Sequence, residues 1–208
     1  PEINPGTIVW EESEETTHYS IVDPMGNAVA VTTTLNGSYG SKVFVEEGGY
    51  FLNNEMDDFS SKPGVPNMFG LIGGKANAIA PQKRMLSAMT PTIVERNGKL
   101  AMVVGTPGGS TIITSVLQTL LNVFEYDMDI QTAVTRPRFH HQWLPDVVIF
   151  EPNLFSQSLI DSLQGKGYDI KEQYSRIIGR VDAILISEDM SLSTGAAPRG
   201  DDAAVHLS

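Results

Sequence analysis

Residues 16–23 have the sequence TTHYSIVD and lead into PMGN at 24–27. Thr, Tyr, Ile and Val favour extended backbone, whereas Asp, Pro, Gly and Asn are the residues that commonly end a strand and form a turn. The next run, AVAVTTT at 28–34, is again typical of a strand. The stretch therefore predicts an antiparallel β-hairpin, with one strand at 16–22 and the other at 28–34.

The segment before this hairpin has a different composition. Residues 1–15 contain two prolines, one glycine and five glutamates, with no sustained periodicity, which is typical of a linker or tail. The chain starts at Pro1, without a Met or a signal-like segment, so we expect a fragment or a processed piece. The remaining length, 16–208, predicts one domain with one sizeable core.

Three helices are predicted after the hairpin. The clearest covers 111–124, where apolar residues recur at 112, 113, 116, 117, 120, 121 and 124. Ser110 is the expected N-cap of this helix. Asp129 is expected to cap a short helix that ends at Thr135, and Ser156 a helix over 157–166.

Further strands are predicted at 49–53, 91–95, 99–104, 147–150 and 181–187. Asn97-Gly98 is a hairpin signal, because these residues tolerate the positive φ angles that a tight turn requires. The order of strands, helices and then strands predicts an α+β fold with helices packed on a largely antiparallel sheet.

The composition excludes several classes of function. The net charge of −11, with only 14 Lys and Arg, argues against a nucleic-acid partner, because a phosphate backbone requires a basic surface. The absence of cysteine excludes disulfides, thiolate catalysis and Cys-ligated zinc. No apolar run approaches the roughly 18 residues typical of a membrane span.

Gly108 and Gly109 form the strongest local chemical signal, since they precede the clearest helix. Backbone N–H groups at a helix N-terminus have no internal acceptor and carry partial positive charge, so they can hold an oxyanion or a carboxylate. A plain tight turn into the helix is the alternative. The motif lacks the lysine and the spacing of a phosphate-binding loop, which argues against nucleotide binding.

Two other clusters are candidate binding sites. Glu55, Asp57 and Asp58 can hold an ammonium group or a hard metal ion, although a solvated acidic loop is the commoner outcome. His140 and His141 are adjacent, and adjacent side chains rarely face one site, so packing or loop hydrogen bonds are expected rather than metal ligation. Spacing alone indicates no Ser-His-Asp arrangement.

Five motifs, in this order, resemble the small subunit of the γ-glutamyltranspeptidase family. They are TTHYS at 16–20 with the 23–31 segment, LNNEMDDF at 52–59, PGVPN at 63–67, PGGS at 107–110 and PRFHHQWLP at 137–145. The likeness extends from Thr16 to about the C-terminus. Five motifs in family order are far more specific than any single short pattern.

The resemblance implies an architecture and a maturation step. The expected fold is the αββα four-layer sandwich of the N-terminal-nucleophile hydrolases, with two antiparallel sheets between helices. Residues 1–15 would be the tail of the large subunit, removed by autocatalytic cleavage before Thr16, and 16–208 the catalytic small subunit. A freed α-amine has a pKa of roughly 7.7 to 8.0 and can serve as the general base, which an internal Thr lacks.

The resemblance also assigns catalytic roles by position. Thr16 matches the nucleophile, and Thr34 matches the Thr that orients it. The N–H groups of Gly108 and Gly109 match the oxyanion hole, in agreement with the helix-terminus argument.

Donor binding is assigned in the same way. Asn36, Glu55 and Asp58 match positions that hold the α-amino group of the donor, and Ser87 matches one of two adjacent serines that hold its α-carboxylate. Ala88 stands where the second serine is common. Losing one neutral hydrogen bond costs about 1 kcal/mol, so weaker donor binding or a shifted preference is expected, rather than inactivity. The family also uses an Arg of the large subunit for this carboxylate.

The 57–84 segment is unusually long for a loop, and such loops are usually functional or disordered. Its 63–74 portion resembles the lid over the donor pocket, with Phe69 where an aromatic residue shields the site. Lid closure excludes water and favours acyl transfer to amines over hydrolysis. A mobile surface loop is the alternative.

The resemblance therefore predicts an autocatalytically matured γ-glutamyltransferase and glutathione hydrolase that forms a γ-glutamyl ester on Thr16. Water would give hydrolysis, and an amino acid or peptide acceptor would give transpeptidation. The expected partner is the large subunit of the same precursor, no cofactor or metal is implied, and the expected location is periplasmic or extracellular. The alternatives are a cephalosporin acylase, a polyglutamate-capsule enzyme, or an uncleaved fragment that only assembles.

Overall fold

The computed structural model describes residues 16–85, 87–172 and 178–205, so the predicted tail at 1–15 lies outside the described residues. Strands β1 to β6 are Thr16–Val22, Ala28–Thr34, Phe44–Val45, Tyr50–Phe51, Thr92–Arg96 and Lys99–Gly105. Strands β7 to β11 are Phe139–His140, Val148–Phe150, Ile170–Glu172, Asp182–Ile186 and Leu192–Ala196. The α-helices α1, α2 and α3 are Ile112–Phe124, Ile130–Thr135 and Gln157–Gly165.

The predicted hairpin at the start of the domain is confirmed. Strands β1 and β2 pair antiparallel over their whole length, with Thr16 opposite Thr34 and Val22 opposite Ala28. The Asp23 carboxylate accepts hydrogen bonds from the backbone N–H groups of Met25 and Asn27, which closes the turn. The two ends of the hairpin stretch therefore meet, and Thr16 lies beside Thr34.

The hairpin packs on a larger antiparallel sheet in the order β11-β10-β6-β5. Helices α1 and α2 pack on this sheet as well, and the hydrophobic core that joins them to it includes Met102, Val104, Val116 and Val134. A separate three-stranded sheet, β7-β8-β9, includes a parallel pair. The predicted α+β class is confirmed, and the described layers run from hairpin to sheet to helices.

The two faces of the hairpin have an unusual distribution of polarity. His18, on the face toward the larger sheet, is buried, and Ser20 and Thr32 are partly buried. The opposite face carries Tyr19 and Ile21, which are 46% and 52% exposed. Alternation in the sequence distinguishes two faces, but here the more apolar face is the exposed one. We call this surface, formed by Tyr19, Ile21 and Val29, the outer hairpin face.

Helix α1 also exposes part of its apolar surface. Ile112, Val116 and Val123 are buried, whereas Ile113, Leu117 and Leu121 are each more than 40% exposed. The last three are spaced four residues apart and therefore share one side of the helix. We call this side the α1 stripe. Among the described residues, no helix has the length and apolar character that crossing a membrane requires.

The caps of the helices are only partly as predicted. Asp129 accepts a hydrogen bond of 2.9 Å from the Thr132 N–H, and Ser156 accepts one from Leu159, so both of these caps are confirmed. The prediction for Ser110 is wrong. A 3₁₀ turn at Gly109–Thr111 precedes α1 and moves its start to Ile112, and the buried hydroxyl of Ser110 has no hydrogen-bond partner among the described residues.

Candidate active site

The hairpin brings the hydroxyl groups of Thr16 and Thr34 together. Thr16 Oγ1 donates a hydrogen bond of 3.1 Å to Thr34 Oγ1, and the backbone N–H of Asn36 donates to the same Thr34 oxygen at 2.9 Å. Thr16 and Thr34 are the first residue of β1 and the last residue of β2, so strand pairing sets their separation. This arrangement fixes the direction of the Thr16 hydroxyl.

The glycine loop at 106–109 joins the end of β6 to the start of α1. Gly108 and Gly109 have φ angles of 139° and 51°, in the region that favours glycine. The Gly108 carbonyl accepts hydrogen bonds from the N–H and the hydroxyl of Thr111. Among the described residues, no acceptor takes the N–H of Gly108 or Gly109, so both donors are available to an oxyanion.

A buried polar network lies next to the glycine loop. The Arg138 guanidinium donates to the backbone carbonyls of Val134, Ile178 and Gly179. Glu151 accepts from the Arg138 backbone N–H and forms an ion pair with Arg199. Burial, together with the positive charge of Arg199, lowers the pKa of Arg138 to about 9, against the opposing effect of Glu151.

Gly179, whose carbonyl Arg138 binds, packs closely against the glycine loop, since a Cβ on Gly108 would lie 3.3 Å from the Gly179 Cα. In addition, Thr106 Oγ1 accepts a hydrogen bond of 2.7 Å from the Arg180 N–H. Sequence reasoning missed the network, because Arg138 and Arg199 are far apart in the chain and no short motif joins them.

Asn36 lies against Asn54, the residue that precedes the 3₁₀ turn at Glu55–Asp58. Asn36 is buried, and its side chain donates to the Asn54 carbonyl at 3.3 Å. Burial, with the nearby negative charge of Asp58, raises the pKa of Glu55. Burial, with the charge of Asp57, raises the pKa of Asp58. A bound ammonium group would oppose this shift and favour the ionised form of both carboxyl groups.

The two ends of the expected donor site lie near a shared cavity. Asp58 and Ala88 both line a cavity of about 160 Å³, together with Phe59, Ser60, Asn67 and Asn77. Ser87 is exposed and directly precedes Ala88. The structure therefore brings the acidic turn close to the 87–88 segment, although 29 positions of sequence separate Asp58 from Ser87.

The 63–74 loop is folded on itself. Gly64 and Gly73 are joined by a backbone hydrogen bond of 3.0 Å, and the Asn67 side chain accepts from the N–H groups of Phe69 and Leu71. The expected shielding residue, Phe69, is partly buried within this loop. The loop is therefore held by its own hydrogen bonds, and its role as a lid stays a prediction.

Met68, in the 63–74 loop, contacts Asn36, Asn54 and Asp57. Its backbone N–H donates to Asp57 Oδ2 at 2.9 Å. Its sulfur accepts from the side-chain amides of Asn36 and Asn54, at 3.8 Å and 3.7 Å. Met68, Asn54 and Asp57 also line a second cavity, of about 420 Å³, with Gly37, Lys42 and Pro66. Sequence reasoning assigned no role to Met68 or Asn54, because the conformation of a long loop leaves no periodic signal.

The adjacent histidines have different partners. His140 is buried between the Thr114 hydroxyl and the Gln142 side chain, at 2.8 Å and 2.9 Å. His141 is partly exposed and pairs with Asp146. Within the described ranges, no cluster of three or more His, Asp or Glu side chains is arranged to hold a metal ion.

The fold is that of an N-terminal-nucleophile hydrolase, because solved structures of γ-glutamyltranspeptidases superimpose on most of the chain. A structure of an acivicin-inhibited γ-glutamyltranspeptidase has a TM-score of 0.84 and 49% identity, covering 89% of this chain and 100% of the other. The γ-glutamyltranspeptidase from Pseudomonas nitroreducens complexed with L-DON has a TM-score of 0.85 and 45% identity, covering 92% and 100%.

The chain belongs to the γ-glutamyltranspeptidase family, whose model matches residues 2–207. It is 49% identical to the glutathione hydrolase proenzyme of Escherichia coli K12 over 97% of this chain. It is 60% identical to that of Pseudomonas sp. strain A14 over 70% of this chain. The chain spans 34% and 25% of these two relatives.

Two of the enzymes that the sequence analysis gives as alternatives resemble this chain in fold alone. Cephalosporin acylase from Bacillus halodurans has a TM-score of 0.76 at 23% identity, and the Bacillus anthracis transpeptidase CapD has 0.71 at 23%.

Proposed function

We propose that this chain is the small-subunit part of a γ-glutamyltransferase and glutathione hydrolase. The observation that carries the proposal is the Thr16–Thr34 hydroxyl pair on a hairpin that packs against β6, the strand that leads into the glycine loop. Two relatives, 49% and 47% identical to this chain, are glutathione hydrolase proenzymes. Residues 1–15 would be the end of the large subunit, and 16–208 the catalytic domain.

The chemistry begins with cleavage of the peptide bond between Glu15 and Thr16. The freed α-amine of Thr16 takes the proton from its own hydroxyl as Oγ1 attacks the γ-glutamyl carbonyl. The N–H groups of Gly108 and Gly109 hold the oxygen of the tetrahedral intermediate. The intermediate collapses to the γ-glutamyl ester of Thr16, and the leaving amine takes the proton. Water or an acceptor amine then breaks the ester and restores the hydroxyl.

Recognition of the donor follows from charge. Glu55 and Asp58, whose pKa values burial raises, would gain a positive partner from the α-ammonium of the donor. Asn36 adds a buried side chain between these carboxylates and Thr34. Ser87 would bind the α-carboxylate. These groups favour a donor with a free α-amine over the substrates of a cephalosporin acylase or a capsule enzyme.

The proposed partner is the large subunit of the same precursor. The outer hairpin face and the α1 stripe are exposed apolar surfaces of a kind that proteins usually cover. A helical layer on the outer hairpin face would complete the four layers of the αββα sandwich. No cofactor is required by this chemistry. By family resemblance we place the protein in the periplasm or outside the cell, which fractionation of the source cells tests.

Expression of the full-length precursor tests the proposal through intact mass, N-terminal sequence and turnover of a γ-glutamyl anilide. We expect a fragment that begins at Thr16 together with turnover. Thr16→Ala should abolish both, whereas Thr17→Ala, on the exposed side of β1, should preserve both. A persistently uncleaved wild-type chain without turnover would contradict the proposal, and undiminished activity of Thr16→Ala would refute the nucleophile.

A further inference from the structure

His18 lies two residues after Thr16, on the same side of β1, and both of its ring nitrogens are occupied. Nδ1 lies 2.8 Å from Thr32 Oγ1, and Nε2 lies 3.0 Å from Ser20 Oγ. The hairpin alone therefore fixes the orientation of the ring, through one hydroxyl on each strand. The side chain is buried between the hairpin and the larger sheet.

The His18 ring rests on the backbone of Gly105, the last residue of β6. A Cβ at Gly105 would lie 2.7 Å from Nε2 and closer still to Nδ1 and Cε1. Real Cβ atoms do not approach other atoms so closely, so position 105 accommodates the ring only because it has no side chain. A displacement of the ring away from Gly105 would strain or break its hydrogen bonds to Thr32 and Ser20.

This contact joins the two parts of the candidate active site. On one side, β1 continues back from His18 to Thr16. On the other side, Gly105 leads directly into the glycine loop that contains Gly108 and Gly109. The thickness of one imidazole ring thus separates the strand of the nucleophile from the strand that positions the oxyanion donors.

The surroundings of His18 argue against a role as an acid or a base. Burial lowers its pKa to about 4, so the ring is neutral near neutral pH. In the neutral ring one nitrogen donates to a hydroxyl and the other accepts from one, and the hydroxyls of Thr32 and Ser20 can each take either role. A neutral ring that is hydrogen-bonded at both nitrogens is instead suited to keep β1 at a fixed distance from β6.

We propose that His18 is a positioning residue, whose imidazole acts as a spacer against Gly105 and sets the distance between Thr16 Oγ1 and the N–H groups of Gly108 and Gly109. The inference rests on the proposed function, since the distance matters only if Thr16 attacks a carbonyl whose oxygen these N–H groups hold. Misplacement by about 1 Å can cost a reaction as much as 10²-fold in rate.

A pair of complementary variants in the full-length precursor tests the spacer. Gly105→Ala places a methyl group in the space that the His18 ring occupies. We therefore expect kcat to fall by more than tenfold. KM should stay nearly unchanged, because the proposed donor-binding residues are elsewhere. His18→Ala should lower kcat by removing the spacer. In the double variant the methyl group enters the vacated space, so kcat should recover several-fold over Gly105→Ala alone.

Gly195→Ala provides a matched control in the same sheet. Its Cβ would lie 2.9 Å from the Ile130 carbonyl oxygen of α2, on the helical side. We expect this variant to lower Tm and leave the kcat of the folded protein unchanged. His18→Asn, which keeps one polar group within reach of Thr32, should retain more activity than His18→Ala. The rate of precursor cleavage, measured on gels, provides a second readout, because the proposed cleavage also depends on the Thr16 hydroxyl.

Several outcomes would overturn the spacer. The first is that the losses of kcat in His18→Ala and Gly105→Ala add up in the double variant. The second is that Gly105→Ala raises KM without lowering kcat. The third is that Gly105→Ala changes Tm and kcat in the same way as Gly195→Ala. Failure of the proposed function is distinguishable, because in that case the wild-type protein itself would not turn over the γ-glutamyl anilide.

Discussion

The hydroxyl of Thr16 donates a hydrogen bond of 3.1 Å to the hydroxyl of Thr34, across the open end of the β1–β2 hairpin. Thr34 in turn accepts from the Asn36 N–H. The pair therefore links the candidate nucleophile to the segment that leads into the expected donor site. Since cross-strand register creates this link, its geometry is set by the hairpin and not by a loop.

Thr34→Val tests the orienting role, because Val preserves the shape of the side chain and removes the acceptor for Thr16. Val also removes the acceptor of the Asn36 N–H, so two hydrogen bonds of about 1 kcal/mol each are lost, which predicts a fall in kcat of roughly tenfold or more. Thr34→Ser should keep most of the activity, since it retains the hydroxyl. Steady-state kinetics with a γ-glutamyl anilide measures both variants, and equal losses in Val and Ser would contradict the role.

Met68→Leu tests the contact of the lid with the site. Leu fills a similar volume but cannot accept hydrogen bonds from Asn36 and Asn54. We expect a higher KM for the donor and a larger share of hydrolysis relative to transfer, because a less tightly closed lid admits water. The share is measured by product analysis at fixed acceptor concentration.

Met25→Leu is the matched control, since Met25 is exposed at the tip of the hairpin turn. It should leave both KM and the product ratio unchanged. If Met68→Leu behaves in the same way as Met25→Leu, the sulfur contact has no part in closing the lid.

Ala88→Ser tests the missing hydroxyl in the expected carboxylate site. A restored hydrogen bond of about 1 kcal/mol would lower KM for a γ-glutamyl donor several-fold. Ala80→Ser, at an exposed position within the 57–84 segment, serves as the control. Donor titrations measure the change, and an unaltered KM in Ala88→Ser would count against this account of donor binding.

Asp182 provides a prediction for stability against pH. Burial, together with the Asp202 carboxylate, raises its pKa from 3.8 to about 7, although Arg180 acts in the opposite direction. The folded state therefore holds this proton more tightly than the unfolded state. The resulting stabilisation is fully present below about pH 4 and is lost as pH rises through about 7.

Asp182→Asn should remove this dependence, so its Tm should fall less than that of the wild type between pH 5 and pH 8. Most of the titration of the Asp182 carboxyl group falls between about pH 5 and about pH 8. Thermal unfolding of both proteins in matched buffers measures the difference. Parallel curves would show that Asp182 does not titrate in this range.

Local patterns predicted the parts of the fold that depend on neighbouring residues. Alternation and turn residues predicted β1 and β2, Asn97-Gly98 predicted the turn between β5 and β6, and Asp129 predicted the start of α2. In each case the decisive interactions join residues close in the chain. The family resemblance then gave the candidate site residues, which composition and spacing did not.

Other features depend on contacts that the sequence pattern does not contain. The start of α1 was misplaced because Gly109–Thr111 forms a 3₁₀ turn. Alternation in β1 revealed two faces but not that the side of Tyr19 would be the exposed one. The contact of Met68 with Asn36 spans a long loop whose path no periodicity describes.

The central claim is that Thr16 becomes an N-terminal nucleophile, and a trapped intermediate tests it most directly. The full-length protein would be mixed with a γ-glutamyl anilide, quenched in acid within one turnover, and examined by intact mass and peptide mapping. We predict a γ-glutamyl adduct on the N-terminal residue of a fragment that begins at Thr16. An adduct on another residue, or on a chain still joined through Glu15, would contradict the account.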